Sequence, residues 1–383
     1  MIDYPALEMP ANSTIPRLLR QTIEAQGPIS FARFMTLALY HPQAGYYEQH
    51  EDRLGRRGDY YTSASAGSLF GELLARRFSC WSRELKLSRF SCVEAGAHNG
   101  ALADDILTAW SQSESVPSIP WEYWILEPSP RRQAWQRTRL QSYQSRIRWI
   151  TGWDEISAHS IDGFIFSNEL LDAFPVHRLG WDASRRRWFE WGVAIDQDSF
   201  SWVRLPGSPR CPEPRWLRDG SNSIGPLPSE LLDVLPDGFT VETNPQAEQW
   251  WEQAAQRLRS GFLLAFDYGM EQEKLFAPER GLGTLQAYHC HQTSRDVLSH
   301  PGSQDLTSQV NFTLLRALGE GYGLRTMVYS TQSRFLVENL NSEEMAALGL
   351  DGSHPSRLGQ FKTLTHPDHL GQTLKVLVQR RDA

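Results

Sequence analysis

The sequence predicts an α/β protein built around a mostly parallel sheet. Three observations support this: apolar runs alternate with helical patterns, several runs end in an acid, and a glycine-rich turn follows the first of them. Strands that alternate with helices form right-handed βαβ units, and such sheets bind ligands beyond the carboxyl ends of their strands. The expected parallel strands are residues 89–96, 121–129, 146–156, 161–176 and 261–269.

Residues 1–85 are predicted to form a helical N-terminal region. Apolar residues at helical spacing and cap signals indicate helices over 13–27, 30–42 and 66–85. The segment between the second and third helices, residues 43–65, is rich in glycine, tyrosine and charge. We expect it to be a loop that covers a ligand site.

Residues 86–383 are predicted to form the sheet domain, with insertions at about 177–243 and 270–306. Within the first insertion, residues 177–206 alternate in polarity and turn twice, which predicts an antiparallel excursion. Residues 324–331 and 373–381 are expected to be two closing strands.

Composition excludes several classes of protein. The net charge of −7 over 383 residues argues against binding nucleic acid by charge alone. The four cysteines are far apart, and "HCH" at 289–291 lacks a second ligand pair, so no disulfide frame and no metal are expected. No apolar stretch reaches ~18 residues and no leader is evident, which predicts a cytoplasmic protein without membrane contact.

Acids at successive strand ends indicate the ligand. Glu94 ends the first predicted strand, Glu127 ends the second, and Asp154 follows the third. A carboxylate at the second position can accept both hydroxyls of a ribose. The glycine turn "GAHNG" lacks the full pattern for a pyrophosphate, whereas S-adenosylmethionine has a ribose, an adenine and two cationic groups but no phosphate. The plainer interpretation is that each acid only caps a helix.

Several longer motifs resemble one family. "VEAGAHNGALADDIL", "FSNELLDAFPVHRL", "GTLQAYHCH" and "DLTSQVNF" are similar to signatures of the MidA-like class I S-adenosylmethionine-dependent methyltransferases. That family includes the mitochondrial arginine methyltransferase of complex I assembly. The resemblance runs through nearly the whole chain. It implies a Rossmann-like fold with a seven-stranded, mostly parallel sheet, and S-adenosyl-L-methionine as cofactor.

The resemblance also implies which residues hold the cofactor, namely Thr62, Ser63, Glu94, Gly96, His98, Gly100, Glu127, Pro128, Trp153, Asp154 and Asn168. Asp59 or Tyr60 is expected to close the site from above. The sequence departs from the family pattern at His98, where a glycine is usual, and at Ala64 and Ser65, where Pro-Glu is usual. A side chain at 98 narrows the turn or demands an unfavourable φ.

The predicted reaction is methylation of arginine in a protein. An arginine guanidinium stays charged and pairs with carboxylates, so Glu169 and Asp172 are expected to orient it from one face of a helical turn. Asn168 is expected near the amino-acid part of the cofactor. Asp267 and Tyr268 end the fifth strand and are expected to line the same cavity.

The partner expected is a protein substrate, with no nucleic acid and no membrane, and a homodimer is left open. Aromatic residues in the insertions either contact that substrate or only pack onto the core: Trp181, Trp188, Trp191, Trp202 and Tyr288. Two alternatives remain open at this point. One is a methyltransferase-fold binding or assembly protein with weakened catalysis, and the other is a nicotinamide oxidoreductase.

Overall fold

The computed structural model describes residues 14–49, 62–112, 119–207, 209, 211, 214–215, 227–289, 292–338 and 340–382. The chain divides into two compact units. The first comprises Met1–His50, Asp172–Trp250 and Met270–Ala317, and the second comprises Glu51–Leu171, Trp251–Gly269 and Leu318–Ala383. Asp59 and Tyr60 lie outside the described residues.

The helices, in chain order, are α1 (Ile15–Gln26), α2 (Phe31–Tyr40), α3 (Tyr46–Gln49), α4 (Leu69–Glu84), α5 (Ala101–Gln112), α6 (Pro130–Arg139), α7 (Ser229–Val234), α8 (Pro245–Arg257), α9 (Gln272–Leu275), α10 (Phe312–Gly321), α11 (Gln332–Val337), α12 (Ser342–Ala347), α13 (Pro355–Thr365) and α14 (Leu370–Thr373). The predicted helices over 13–27, 30–42 and 66–85 correspond to α1, α2 and α4. Among the described residues, no helix is long and apolar enough to cross a membrane.

The strands are β1 (Ile29–Ser30), β2 (Phe90–Ala95), β3 (Trp121–Leu126), β4 (Ile147–Ile150), β5 (Ile161–Asn168), β6 (His177–Asp182), β7 (Arg187–Asp196), β8 (Ser199–Arg204), β9 (Thr240–Thr243), β10 (Leu258–Met270), β11 (Gln286–His289), β12 (Gln292–Ser294), β13 (Asp305–Thr307), β14 (Val310–Asn311), β15 (Arg325–Thr331) and β16 (Leu374–Arg381).

The second unit contains the mixed sheet that the sequence predicted. Along it the strands follow the order β15-β16-β10-β5-β2-β3-β4. The strands β10, β5, β2, β3 and β4 are parallel to one another. β16 is antiparallel to both β10 and β15. Each of the five predicted parallel segments contains one of the strands β2, β3, β4, β5 and β10 or most of it, and the two expected closing strands correspond to β15 and β16.

Aromatic packing fixes this sheet to α4. Phe164 and Phe166 of β5 are fully buried, as are Phe262 of β10 and Phe78 of α4. The rings of Phe78 and Phe164 stack with centroids 4.6 Å apart. Alternate residues of a strand lie on one face, so Phe164 and Phe166 both meet the helix. Burying each such ring contributes roughly 1.5–3 kcal/mol, which holds the carboxyl ends of the strands in a fixed frame.

The first unit contains an antiparallel sheet of order β1-β7-β6-β9, with β8 also paired to β7. This confirms the antiparallel excursion predicted for 177–206. Trp181 is 3% exposed and its ring lies 5.1 Å from that of Trp188. Trp202 lies 5.1 Å from Phe31 of α2. These tryptophans therefore pack against other residues of the first unit. This agrees with the alternative that the aromatic residues of the insertions only pack onto the core.

The segment after β10 has more structure than the sequence indicated. A loop was expected around "GLGTLQAYHCH", but β11 pairs with both β12 and β13 in a small antiparallel sheet. The pairing joins Gln286 to Thr307, residues distant in sequence. Such long-range pairing leaves little local periodicity to detect.

Candidate functional site

Three polar residues predicted from the sequence lie at one edge of the second unit's sheet. Glu94 is the penultimate residue of β2, Glu127 follows β3, and Asn168 ends β5. In the register, Glu94 is level with Ile125 of β3 and Phe166 of β5. Carboxyl ends of neighbouring parallel strands share one edge, which is where open α/β sheets bind ligands.

The turn after β2 has an unusual backbone. Gly96, His98 and Gly100 all have positive φ, of 72°, 45° and 81°. Glycine adopts such angles without steric cost, whereas a residue with a Cβ pays about 1–2 kcal/mol. The sequence-based concern about His98 is therefore confirmed: it occupies a left-handed position. Histidine is among the residues that tolerate this region best.

Glu94 is a buried carboxyl group at 2% exposure. The hydroxyl of Tyr123 donates a hydrogen bond to its Oε2 at 2.7 Å. Burial, opposed by the bond from Tyr123 and assisted by the charge of Asp105, raises the pKa of Glu94 to about 7. Near neutral pH this group is thus poised between its two protonation states.

Glu127 is also buried, at 1% exposure, but it is held by several donors. Its Oε1 accepts from the backbone N–H of Ser129 at 2.9 Å and lies 3.1 Å from Nη2 of Arg132. Nε2 of Gln136 lies 3.4 Å from Oε2 and also donates to the backbone oxygen of His98 at 2.9 Å. Gln136 therefore ties the glycine turn to the acid of the next strand.

The imidazole of His98 lies beside α6. Its ring centroid is 6.0 Å from that of Trp135. Burial, together with the charges of Arg132 and Arg139, lowers the pKa of His98 to about 3. The ring is consequently neutral at physiological pH, so His98 adds bulk and hydrogen-bonding capacity to this turn but no charge.

Glu169 is held in a strained conformation just after β5. Its φ is 51°, and its Oε1 accepts from the backbone N–H of Ser63 at 2.7 Å and from Nδ2 of Asn168 at 3.1 Å. Asp267 accepts bonds from the backbone N–H groups of Leu170 and Leu171 at 3.2 and 2.8 Å, which fixes the turn. Strain of this kind concentrates at functional sites.

The environment of Glu169 sets its acidity and leaves it able to take a ligand. Burial raises its pKa to about 7, with Asp267 adding to the rise, while hydrogen bonds from Ser63 and Asn168 lower it in part. Its second oxygen, Oε2, and Oδ1 of Asn168 are buried and have no hydrogen-bond partner among the described residues. Two acceptors in this state favour a ligand with N–H donors.

Thr62 and Ser63 have partners of their own. Oγ1 of Thr62 accepts from the backbone N–H of Ser65 at 3.1 Å, and the hydroxyl of Ser63 bonds Oε1 of the buried Gln332 at 3.0 Å. Ser63 thus serves Glu169 through its backbone. Ser65, one of the departures from the family pattern, closes this turn.

Asp172 belongs to the first unit, where it is 4% exposed. Its backbone oxygen accepts from the N–H of Ser308 at 2.9 Å. Burial raises the pKa of Tyr288 to about 12, and the charges of Asp172 and Asp305 add to the rise. Residues 169–174 form bends and turns, so the prediction that Glu169 and Asp172 share a helical face is wrong: Asp267 binds the backbone there in place of helical hydrogen bonds.

The remaining predicted residues are less enclosed. Pro128 and Asp154 are exposed, while Trp153 is 6% exposed and its backbone oxygen accepts from Nε of Arg257 at 3.2 Å. For the exposed Asp154, the sequence predicted contact with an adenine amino group. That role stays a prediction.

Sequence reasoning missed Gln136 and Arg132. Gln136 is the buried residue of α6, although the helix is otherwise strongly polar. Gln136 gave no distinct signal in the sequence, because the same helix carries a second amide, Gln133. Arg132 carried none, because its neighbour Arg131 is equally basic in the sequence but is exposed.

Comparison with known proteins shows what this chain is similar to. Residues 73–330 match a family model described as S-adenosyl-L-methionine-dependent methyltransferase. The chain is 27% identical to the protein arginine methyltransferase NDUFAF7, mitochondrial, of Xenopus laevis, over 97% of this chain and 85% of that protein. It is 29% identical to the protein of the same name from Danio rerio, over 94% and 85%.

A solved structure is also similar to this chain. A Burkholderia thailandensis protein crystallised with S-adenosyl-homocysteine superposes with a TM-score of 0.80 at 26% identity, over 96% of this chain and 92% of that one. The expectation of a cytoplasmic protein is contradicted by the relatives above, whose names are mitochondrial, and it is withdrawn.

Proposed function

Since the chain belongs to a family of S-adenosyl-L-methionine-dependent methyltransferases, we propose that it methylates an arginine side chain of a protein substrate. The names of the relatives, protein arginine methyltransferases, support the choice of arginine. Membership of this family also sets aside the nicotinamide oxidoreductase.

The residues at the strand ends fit S-adenosylmethionine. A ribose needs a buried acceptor, which Glu127 supplies, and the cationic groups of the cofactor suit the carboxyl of Glu94 and the amide oxygen of Asn168. The left-handed Gly96 and Gly100 bring backbone rather than side chains to this edge. When bound, the cofactor supplies a methyl group on a sulfonium, and the chain supplies alignment and exclusion of water.

One observation carries the proposal for arginine: Glu169 holds a buried carboxylate with two hydrogen bonds to one oxygen and, among the described residues, none to the other. A guanidinium presents several N–H donors in a planar fork that matches such an acceptor. The raised pKa lets Glu169 accept a proton near neutral pH, so it can both orient the guanidinium and take the proton that its nitrogen must lose.

The roles of the other predicted residues follow from this placement. We propose that Asn168 faces the amino-acid part of the cofactor and that Thr62 and Ser63 hold the loop against Glu169. The expected role of Asp172 toward the substrate stays a prediction. The seven-stranded count of the methyltransferase sheet and a homodimer also stay predictions.

The test is transfer of labelled methyl from S-adenosylmethionine to protein in a cell extract. Label in arginine is expected with the wild type, and loss of that label is expected in the Glu169→Gln, Asp172→Asn double variant. Exposed Glu155→Gln serves as the control. Label confined to small molecules, or label that persists in the double variant, would refute the proposal.

A second candidate is a binding or assembly protein that has lost turnover. It is favoured by the left-handed His98 and by Arg132, which neutralises Glu127 in the free protein. Titration calorimetry with S-adenosyl-homocysteine separates the two functions. Binding at micromolar affinity with methyl transfer supports the enzyme, whereas folded protein that neither binds nor transfers supports the assembly role.

A further inference from the structure

A cluster of three potential metal ligands lies in the first unit. His177 begins β6, Glu190 lies in β7, and Cys211 lies after β8. One ligating atom from each lies within 4.8 Å of the other two. Glu190 and Cys211 are 1% and 8% exposed, so the carboxylate oxygen and the sulfur that approach the imidazole nitrogen belong to buried residues.

The antiparallel register explains how two of them meet. Leu179 of β6 is opposite Glu190 of β7, and His177 lies two residues before Leu179 on the same strand. Residues two apart share a face, and diagonal neighbours across antiparallel strands are within reach of long side chains. Nδ1 of His177 accordingly lies 2.7 Å from Oε1 of Glu190. Cys211 joins these two residues from the segment that follows β8.

We propose that His177, Glu190 and Cys211 bind a divalent transition-metal ion of the zinc type, with water completing a tetrahedral shell. Imidazole, carboxylate and thiolate form a donor set that suits Zn²⁺, whereas Mg²⁺ and Ca²⁺ prefer oxygen alone. The proposal is independent of the methyl-transfer function.

The distances fit such an ion after a small adjustment. Metal bonds of about 2.0–2.1 Å to nitrogen and oxygen and about 2.3 Å to sulfur place tetrahedral ligand atoms about 3.3–3.6 Å apart. The three atoms already lie within 4.8 Å of one another. The His177–Glu190 pair would therefore open by roughly 0.6 Å as the ion replaces their hydrogen bond.

The charges also balance. A cysteine thiol is ordinarily protonated at neutral pH. On binding, the S–H bond breaks, a sulfur–metal bond forms and the proton leaves to solvent. As the hydrogen bond to Glu190 breaks, the proton on Nδ1 of His177 is exchanged through solvent for one on Nε2, and Nδ1 binds the ion through its lone pair. Thiolate and carboxylate then neutralise the 2+ charge, which favours a buried ion.

Cobalt is the probe, because a thiolate ligand gives Co²⁺ a charge-transfer absorption. The full chain is stripped with a chelator and titrated with Co²⁺, and a band saturating at one ion per chain is expected. Cys211→Ser should abolish it. Cys80→Ser, at an exposed thiol, and Cys290→Ser, whose site lies outside the described residues, should leave it unchanged.

A second variant keeps the test decisive if Cys211→Ser folds poorly. His177→Gln retains a hydrogen-bond donor for Glu190 but lacks the imidazole, so we expect circular dichroism like the wild type and at least tenfold weaker Co²⁺ binding. Zn²⁺ alone should raise the melting temperature of the wild type and not of this variant. Absence of a band in folded wild type, a band retained in Cys211→Ser, or a band lost only in Cys290→Ser overturns the proposal.

Discussion

The backbone N–H of Ser63 donates a hydrogen bond to Oε1 of Glu169 across 2.7 Å. These residues are distant in sequence, but both belong to the second unit. Because the donor is a backbone group, most substitutions at 63 leave the bond intact. Proline is the exception, since it has no N–H.

Ser63→Pro is expected to lower activity at least tenfold more than Ser63→Ala. Both variants lose the hydroxyl that bonds Gln332, but only proline loses the donor to Glu169. The φ of −57° at Ser63 already suits proline. The comparison needs kcat/KM for both variants, with circular dichroism to verify folding. Equal activities would show that the bond does not support catalysis.

The pH dependence of kcat/KM should report Glu169. Its carboxyl must be ionised to pair with a guanidinium, and burial raises its pKa to about 7, so activity is expected to rise with pH through about 7 and then level off. Glu169→Gln should remove the rise and cost roughly 100- to 1000-fold, as when one member of a buried charge pair is lost.

Glu94 has a similar pKa and must be distinguished from Glu169 in that profile. A Glu94→Gln variant should retain an inflection near neutral pH in kcat/KM, whatever its absolute rate. If the inflection disappears in this variant and persists in Glu169→Gln, the titrating group is misassigned.

Removing the Glu127 carboxylate should weaken cofactor binding. Loss of a buried acceptor for two hydroxyls costs about 2–4 kcal/mol, or about 30- to 1000-fold in affinity. Titration calorimetry of Glu127→Ala with S-adenosyl-homocysteine measures it. Glu122→Ala, an exposed acid on β3, is the matched control and should bind normally. Wild-type affinity in Glu127→Ala would place the ribose elsewhere.

Replacing His98 by glycine should change cofactor affinity by less than tenfold. Glycine relieves the left-handed strain, and Gln136 keeps its bond because it reaches the backbone oxygen of residue 98. Stability should move by less than about 1 kcal/mol, since relieved strain is offset by a more flexible unfolded chain. A much larger gain in affinity would indicate an impaired natural pocket and favour the assembly role.

Glu94 should make the protein less stable as pH rises from about 4.5 to 7. Its folded pKa of about 7 lies above the ordinary value of 4.5, so the native state binds the extra proton in that range and loses this advantage when the group ionises. In urea titrations at pH 8, Glu94→Gln is expected to exceed the wild type by roughly 1–3 kcal/mol. The two proteins should converge at pH 5; an unchanged difference between the two pH values would contradict the assignment.

Local pattern was sufficient to predict the parallel strands and the polar residues at their ends. The runs that end at Glu94, Glu127 and Asn168 are short, apolar and followed by helices or turns. This pattern of an apolar run and a connecting segment is visible in the local sequence. Their common edge follows from parallel geometry alone. For the same reason the antiparallel excursion at 177–206 was predictable from alternation.

The sequence by itself thus determined the parallel strands, the antiparallel excursion and the polar residues at the strand ends, because these depend on near neighbours. Only the tertiary structure decided how the acids of the site are held: Arg132 and Gln136 engage Glu127, and Ser63 fixes Glu169. It also decided that Cys211 meets His177 and Glu190. These contacts join residues far apart in the chain, and their burial, which sets pKa and ligand affinity, exists only once the chain has folded.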